Sequence, residues 1–143
     1  MTSVRLFTLE GAQKLDPAVE RWFTRPPEEL RAIARMWFQE MRACGPDVLE
    51  LLHDGHPTAC VGNLAWGYVN TFADHVNVGF YFGAVLEDPS GLLEGSGKFM
   101  RHVKVRVGTF AHQSELQKLV REAYADVTSR FLTNRGSDGS ANA

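Results

Sequence analysis

Two histidines bracket a turn in His53-Asp-Gly-His56, with Cys60 four residues further on and Cys44 upstream. Imidazole and thiolate are the ligands zinc prefers, so a metal would be sought here first. The spacing is wrong for it: no Cys-x-x-Cys pair and no His-Glu-x-x-His occurs. Asp54-Gly55 is an ordinary turn dipeptide. A cysteine within the apolar Thr58-Ala-Cys-Val-Gly62 reads as a small hydrophobe whose thiol pKa burial raises, which makes a poor nucleophile. No metal and no cofactor is expected, and His53, His56 and Cys60 are the residues that would hold a metal if one were bound. Acid–base work would draw on Asp47, Glu50, Asp54 and Asp74, whose convergence spacing does not show. No Gly-x-Ser-x-Gly elbow is present, and no motif marks the chain as an enzyme.

The segment Gly83–Gly97, ending in Gly95-Ser-Gly-Lys98, has the look of a phosphate loop but fails the pattern. A Walker loop requires glycine where Leu92 stands and serine or threonine where Phe99 stands. The dinucleotide fingerprint fails at Met100, where its third glycine belongs. The segment reads as a long connection between strands, its glycines supplying positive φ.

Two stretches alternate as strands. Val76, Val78, Phe80 and Phe82 share one side of the first, with Asn77 and Tyr81 on the other. In Phe99–Val107, the residues Val103, Val105 and Val107 point inward while His102, Lys104 and Arg106 point out. Trp66–Phe72 is a third strand, joined to the first by a tight connection at Ala73-Asp74. Leu49–His53 and Thr58–Val61 are further candidates, although Val48, Leu51 and Leu52 also fit a helical turn.

Helices flank this block. Asp16 is a suitable N-cap before Pro17, opening a helix that carries Val19, Trp22 and Phe23 to about Thr24. A longer one starts near Pro27 and presents Leu30, Ile33, Ala34, Trp37, Phe38 and Met41 on one face, with Gly45 as its stop. The last opens on a capping box, Ser114-Glu-Leu-Gln117, and buries Leu116, Leu119, Val120, Ala123, Val127 and Phe131. Asn134 and Gly136 are its stop signals. The expected architecture is α+β: an antiparallel sheet with N- and C-terminal helices packed on one face. The free face would present Asn77, Tyr81, His102, Lys104 and Arg106, with Tyr68 or Trp66 beside them and Lys98 at the loop. That is a locally basic surface fit for an anionic small molecule, although alternation demands polar residues there whatever the function.

Composition bounds the rest. The 143 residues suffice for one domain, residues 1–134, with 135–143 as a flexible tail of linker composition. Fifteen Lys and Arg against 17 Asp and Glu leave a net charge of −2, unlike a dedicated nucleic-acid binder. No apolar run is long enough to span a bilayer, and Met1–Glu10 lacks the pattern of a secretory signal, so two reduced thiols in the cytoplasm are expected.

Cys44-Gly-Pro-Asp47, His53-Asp-Gly-His-Pro57, His75-Val-Asn-Val-Gly-Phe80, Gly83-Ala-Val-Leu-Glu-Asp-Pro89, Gly91-Leu-Leu-Glu-Gly-Ser-Gly-Lys98 and Met100-Arg-His-Val-Lys104 follow one another in order. Together they resemble the bacterial YdhG-like family of uncharacterised domains, and the likeness runs from about Asp16 to Leu132. The resemblance implies a frataxin-like α+β fold. Some relatives are described as iron-handling chaperones, and frataxins bind iron through an acidic ridge on the first helix and sheet edge. In this chain Glu28, Glu29 and Glu40 alternate with Arg31, Arg35 and Arg42, an arrangement ill suited to a hard cation. The resulting expectation is a non-enzymatic binding or accessory domain that uses the open sheet face and the Gly83–Gly97 loop. The alternatives are iron handling, an enzyme without a recognisable motif, and a homodimer built through a sheet edge.

Overall fold

A computed structural model describes residues 7–142, with side chains to residue 134. Among the described residues there are three α-helices and five strands: α1 (Pro17–Phe23), α2 (Glu28–Arg42), β1 (Val48–His53), β2 (His56–Val61), β3 (Leu64–Thr71), β4 (His75–Phe80), β5 (Arg101–Arg106) and α3 (Gln113–Asn142). The strands form one antiparallel meander in the order β1-β2-β3-β4-β5. The class is α+β, as the flanking helices and alternating centre imply. Among the described residues no helix is long and apolar enough to cross a membrane.

All three helices bury their apolar stripes on one sheet face, where Val48, Ala59, Leu64, Val69, Val76, Val78, Phe80, Val103 and Val105 meet them. Asp16 caps α1, its Oδ1 accepting from the Ala18 amide at 2.9 Å, and Pro17 occupies the first helical position, where a missing N–H costs nothing. Both uncertain stretches prove to be strands. Leu51 faces away from Val48 and Leu52, as a pleat requires and a helical turn would not allow. The β1–β2 hairpin turns on Asp54-Gly55, both with positive φ, which suits the right-handed twist of the strands it joins.

Several details differ from expectation. The register of β2 against β3 shifts between Ala59 and Cys60, so strict alternation fails in β3: Trp66 turns into the helix-side core while Ala65 and Tyr68 share the other face. Phe82 lies past the end of β4 and packs against Phe99 rather than beside Phe80. Val107 is 52% exposed, because β5 ends at Arg106 and Gly108 turns the chain at positive φ. Gly45 is not the left-handed stop of α2, whose C-cap is Ala43. Its small size is required instead by the Tyr124 hydroxyl, which would sit 2.2 Å from a Cβ. The helix α3 begins at Gln113, ahead of the proposed capping box; Glu115 pairs with His112 Nδ1 at 2.7 Å and Gln117 donates to Glu40 at 2.9 Å. It also continues through Asn134, Gly136 and Gly139 to Asn142, each helical glycine costing only about 1 kcal/mol. The side chains of the 135–143 tail lie outside the described residues.

The opposite face of the sheet is only partly open. Residues 7–13 cross it, with the Leu9 amide donating to the Asn63 carbonyl at 2.8 Å and Gln13 pairing with Glu50 on the outer edge of β1. Leu9 and Ala12 cover Leu51, Cys60 and Ala65, so a second small core forms where a wholly solvated face was expected. At the other edge, Glu94 of the long loop pairs with His102 through both main-chain groups.

Candidate functional site

What the N-terminal segment leaves open is a concavity of about 510 Å³ on this second face. The β1–β2 hairpin contributes His53, Asp54 and His56, which the register sets side by side as a cross-strand pair. The adjoining strands supply Tyr68 and Asn70 from β3 and Asn77 from β4, with the two asparagines opposite each other. Phe72 enters from the β3–β4 turn, Tyr81 and Phe82 follow β4, and Phe99 and Met100 precede β5. Phe7 closes one side, stacked on Tyr81 with ring centres 5.0 Å apart and edge-on to His53 at 5.2 Å.

The walls are mostly ring faces. Tyr68 sits 5.0 Å from the His56 ring and 5.6 Å from Tyr81, and it lies over Gly79 across the strand pair. Only glycine at position 79 permits this, because a Cβ there would stand 2.0 Å from the tyrosine ring. Burial pushes the Tyr81 hydroxyl up to about 12, a shift its hydrogen bond with Thr58 only partly opposes. Burial also raises Tyr68, so both phenols stay neutral. Among the described residues the one charged side chain on the lining is Asp54, which is exposed and lies 3.3 Å from His53 Nε2.

Two polar atoms in this cavity are buried with no hydrogen-bond partner: His56 Nδ1 and Asn77 Oδ1. Burial, and then the nearby His53, hold the His56 pKa below the ordinary imidazole value of 6.5, against an upward pull from Asp54. The unfolded chain therefore takes up a proton that the folded chain resists. The stability contributed by neutral His56 is complete above pH 6.5 and declines as the pH falls below it. His102 shifts in the same direction, chiefly through burial. Denaturant unfolding at pH 7.5 and pH 5.5 is expected to show a smaller pH loss in His56→Gln than in the native protein. Equal losses would remove His56 from this account.

The residues expected at the site separate into two groups. Asn77 and Tyr81 line the cavity. The cationic residues lie apart from it: Lys104 pairs with Glu94 at 3.5 Å, Arg106 with Asp74 at 3.9 Å, and exposed Lys98 sits over the Phe99 ring at 5.3 Å. His102 is engaged by its main chain with Glu94. Two of the expected cations, Lys104 and Arg106, thus sit in ion pairs along the β5 edge, and Lys98 lies over an aromatic ring. Of the metal candidates, His53 and His56 are neighbours, while Cys60 belongs to the small apolar core, its thiol pushed up to about 12 by burial. Among the described residues no three His, Cys, Asp or Glu side chains gather as a metal-binding group. Two arginines of α2 are likewise paired, Arg35 and Arg42 both on Glu20 and Arg42 also on Glu50.

No family model, curated protein or solved structure matches this chain.

Spacing alone could not reveal the large apolar members Phe7, Phe72, Phe99 and Met100. They come from the N-terminal segment, a turn and the long loop, and they meet only through the fold. Alternation reads Phe72 and Phe99 as the ends of strands, whereas β3 stops at Thr71 and β5 starts at Arg101, so both residues fall outside the pleat and line the cavity.

Proposed function

We propose that this chain is a non-enzymatic binding or accessory domain of YdhG-like type, acting in the cytoplasm, whose ligand is a small, largely apolar molecule held in the cavity on the second sheet face. The observation that carries the reading is the lining itself. Ring faces from four separate segments converge on a concavity of ligand size, with a few polar groups among them, which is the usual make-up of a small-molecule site. Phe72 and Met100 remain 45% and 44% exposed at its rim, an apolar surface that folding alone does not use. The kinship rests on the ordered blocks between Cys44 and Lys104. Among the described residues the lining carries no lysine or arginine, which favours an uncharged ligand over the anion first expected.

Titration with the neutral fluorescent probe N-phenyl-1-naphthylamine tests this. Saturable one-to-one enhancement is expected in the native protein. In Phe72→Glu, which places a charge at the exposed rim at little cost to folding, affinity should fall at least tenfold. The double variant His102→Ala/Lys104→Ala should bind as the native protein does. Absence of saturable binding, or loss in the double variant with none in Phe72→Glu, would overturn the assignment.

A further inference from the structure

The polar atoms of the cavity narrow the ligand further, resting on the reading of that cavity as a binding site. Asn70 and Asn77 face each other across β3 and β4, but their carbonyl oxygens differ in employment. Asn70 Oδ1 accepts from the Thr71 amide at 2.9 Å, whereas Asn77 Oδ1 is buried with nothing donating to it. His56 Nδ1 is in the same state. Buried polar atoms in a folded protein are normally satisfied, so an orphaned acceptor on a residue that lines an aromatic cavity calls for a donor from outside the chain.

We infer that the cavity takes an uncharged planar ring compound carrying an N–H or O–H donor, with the donor on Asn77 Oδ1 and the ring among Tyr68, Tyr81 and Phe99. A ring compound fits because the walls offer π faces at stacking and edge-on spacing. An anion would lose its hydration with no cation among the described lining residues to replace it and Asp54 also on the lining. A quaternary ammonium would find ring faces but would leave Asn77 Oδ1 unmet, since it has no proton to give. His56 Nδ1 can donate or accept according to tautomer, and so adapts to the second polar atom of such a ligand.

The test compares two isomeric probes of equal size: 3-methylindole, which keeps its N–H donor, and 1-methylindole, whose methyl group replaces it. By calorimetric titration, 3-methylindole should bind at least tenfold more tightly. Indole-3-carboxylate and benzyltrimethylammonium should each bind at least tenfold more weakly than 3-methylindole. In Asn77→Leu, close in volume and without the acceptor, the two methylindoles should bind within threefold of each other; Asn77→Ala, which also lacks it, serves if the leucine variant does not fold. If the methylindoles bind the native protein equally, or either ion binds as well as 3-methylindole, the donor assignment fails. The naphthylamine titration then separates the cases: binding there with no donor preference leaves the cavity reading intact, and no binding by any probe removes both.

Discussion

Replacing Glu50 with alanine is expected to cost about 3–5 kcal/mol of unfolding free energy, the usual loss when one partner of a buried ion pair is removed. Glu50 is 2% exposed, yet it lies on the helix side of β1 among apolar neighbours. Its carboxylate accepts from Arg42 Nε and Nη2, both at 2.7 Å, and from the Asp16 amide at 3.1 Å. One side chain thereby joins the start of α1, the end of α2 and the first strand, while its main chain holds Gln13. A concavity of about 520 Å³ opens beside it, lined also by Lys14 and Cys44. Removing the carboxylate leaves the Arg42 guanidinium, itself largely buried, with Glu20 alone at 2.9 Å. For a domain whose whole stability is of order 5–15 kcal/mol, that loss is a large fraction. The double variant Glu50→Leu/Arg42→Met should recover most of it, because an apolar pair of similar volume avoids desolvating two charges. Urea unfolding of the native protein and both variants decides the matter. A loss below about 1 kcal/mol in Glu50→Ala would show that this knot of charges does not hold the elements together.

The second large effect joins stability to the cavity. Gly79→Ala places a methyl carbon 2.0 Å from Cε1 and Cζ of Tyr68, so the ring must leave its seat on β4. Tyr68 is held on its other sides by His56 and Tyr81, and the space open to it is the cavity itself. Overpacking of this kind costs about 1–3 kcal/mol. Naphthylamine binding should fall at least tenfold as the ring occupies ligand space. In a Tyr68→Ala background, the added cost of Gly79→Ala should largely vanish, since the clash needs both groups. Unchanged binding in Gly79→Ala would show that the position of Tyr68 does not shape the site.

Much of the fold was legible in the sequence because it depends on local chemistry. Asp16-Pro17 starts α1, the stripe from Leu30 to Met41 buries α2, and the valines of β4 and β5 mark their inner faces, each by rules acting over a few residues. What periodicity could not show was any departure from it. The shift at Ala59/Cys60 reverses Trp66, and the end of β5 at Arg106 releases Val107, both being consequences of pairing with another strand. The site was half legible for the same reason. Asn77 and Tyr81 follow from alternation on β4, but their aromatic company arrives from segments with no regular period. Lys104 and Arg106 do point away from the helices. Their charges, however, are answered by Glu94 and Asp74, and no count of like residues along one strand can reveal such partners.

The bulge in the β2–β3 hairpin has a consequence for what the protein can hold at all. Had the pleat run true, the indole of Trp66 would stand on the same side as Tyr68 and crowd the hollow that any guest must enter. A single surplus residue moves that bulk to the far layer, where it packs against Tyr124. Chain length between Thr58 and Tyr68 is therefore under tighter constraint than its hairpin character suggests: shortening it by one would return the indole to the side of Tyr68 and fill the hollow.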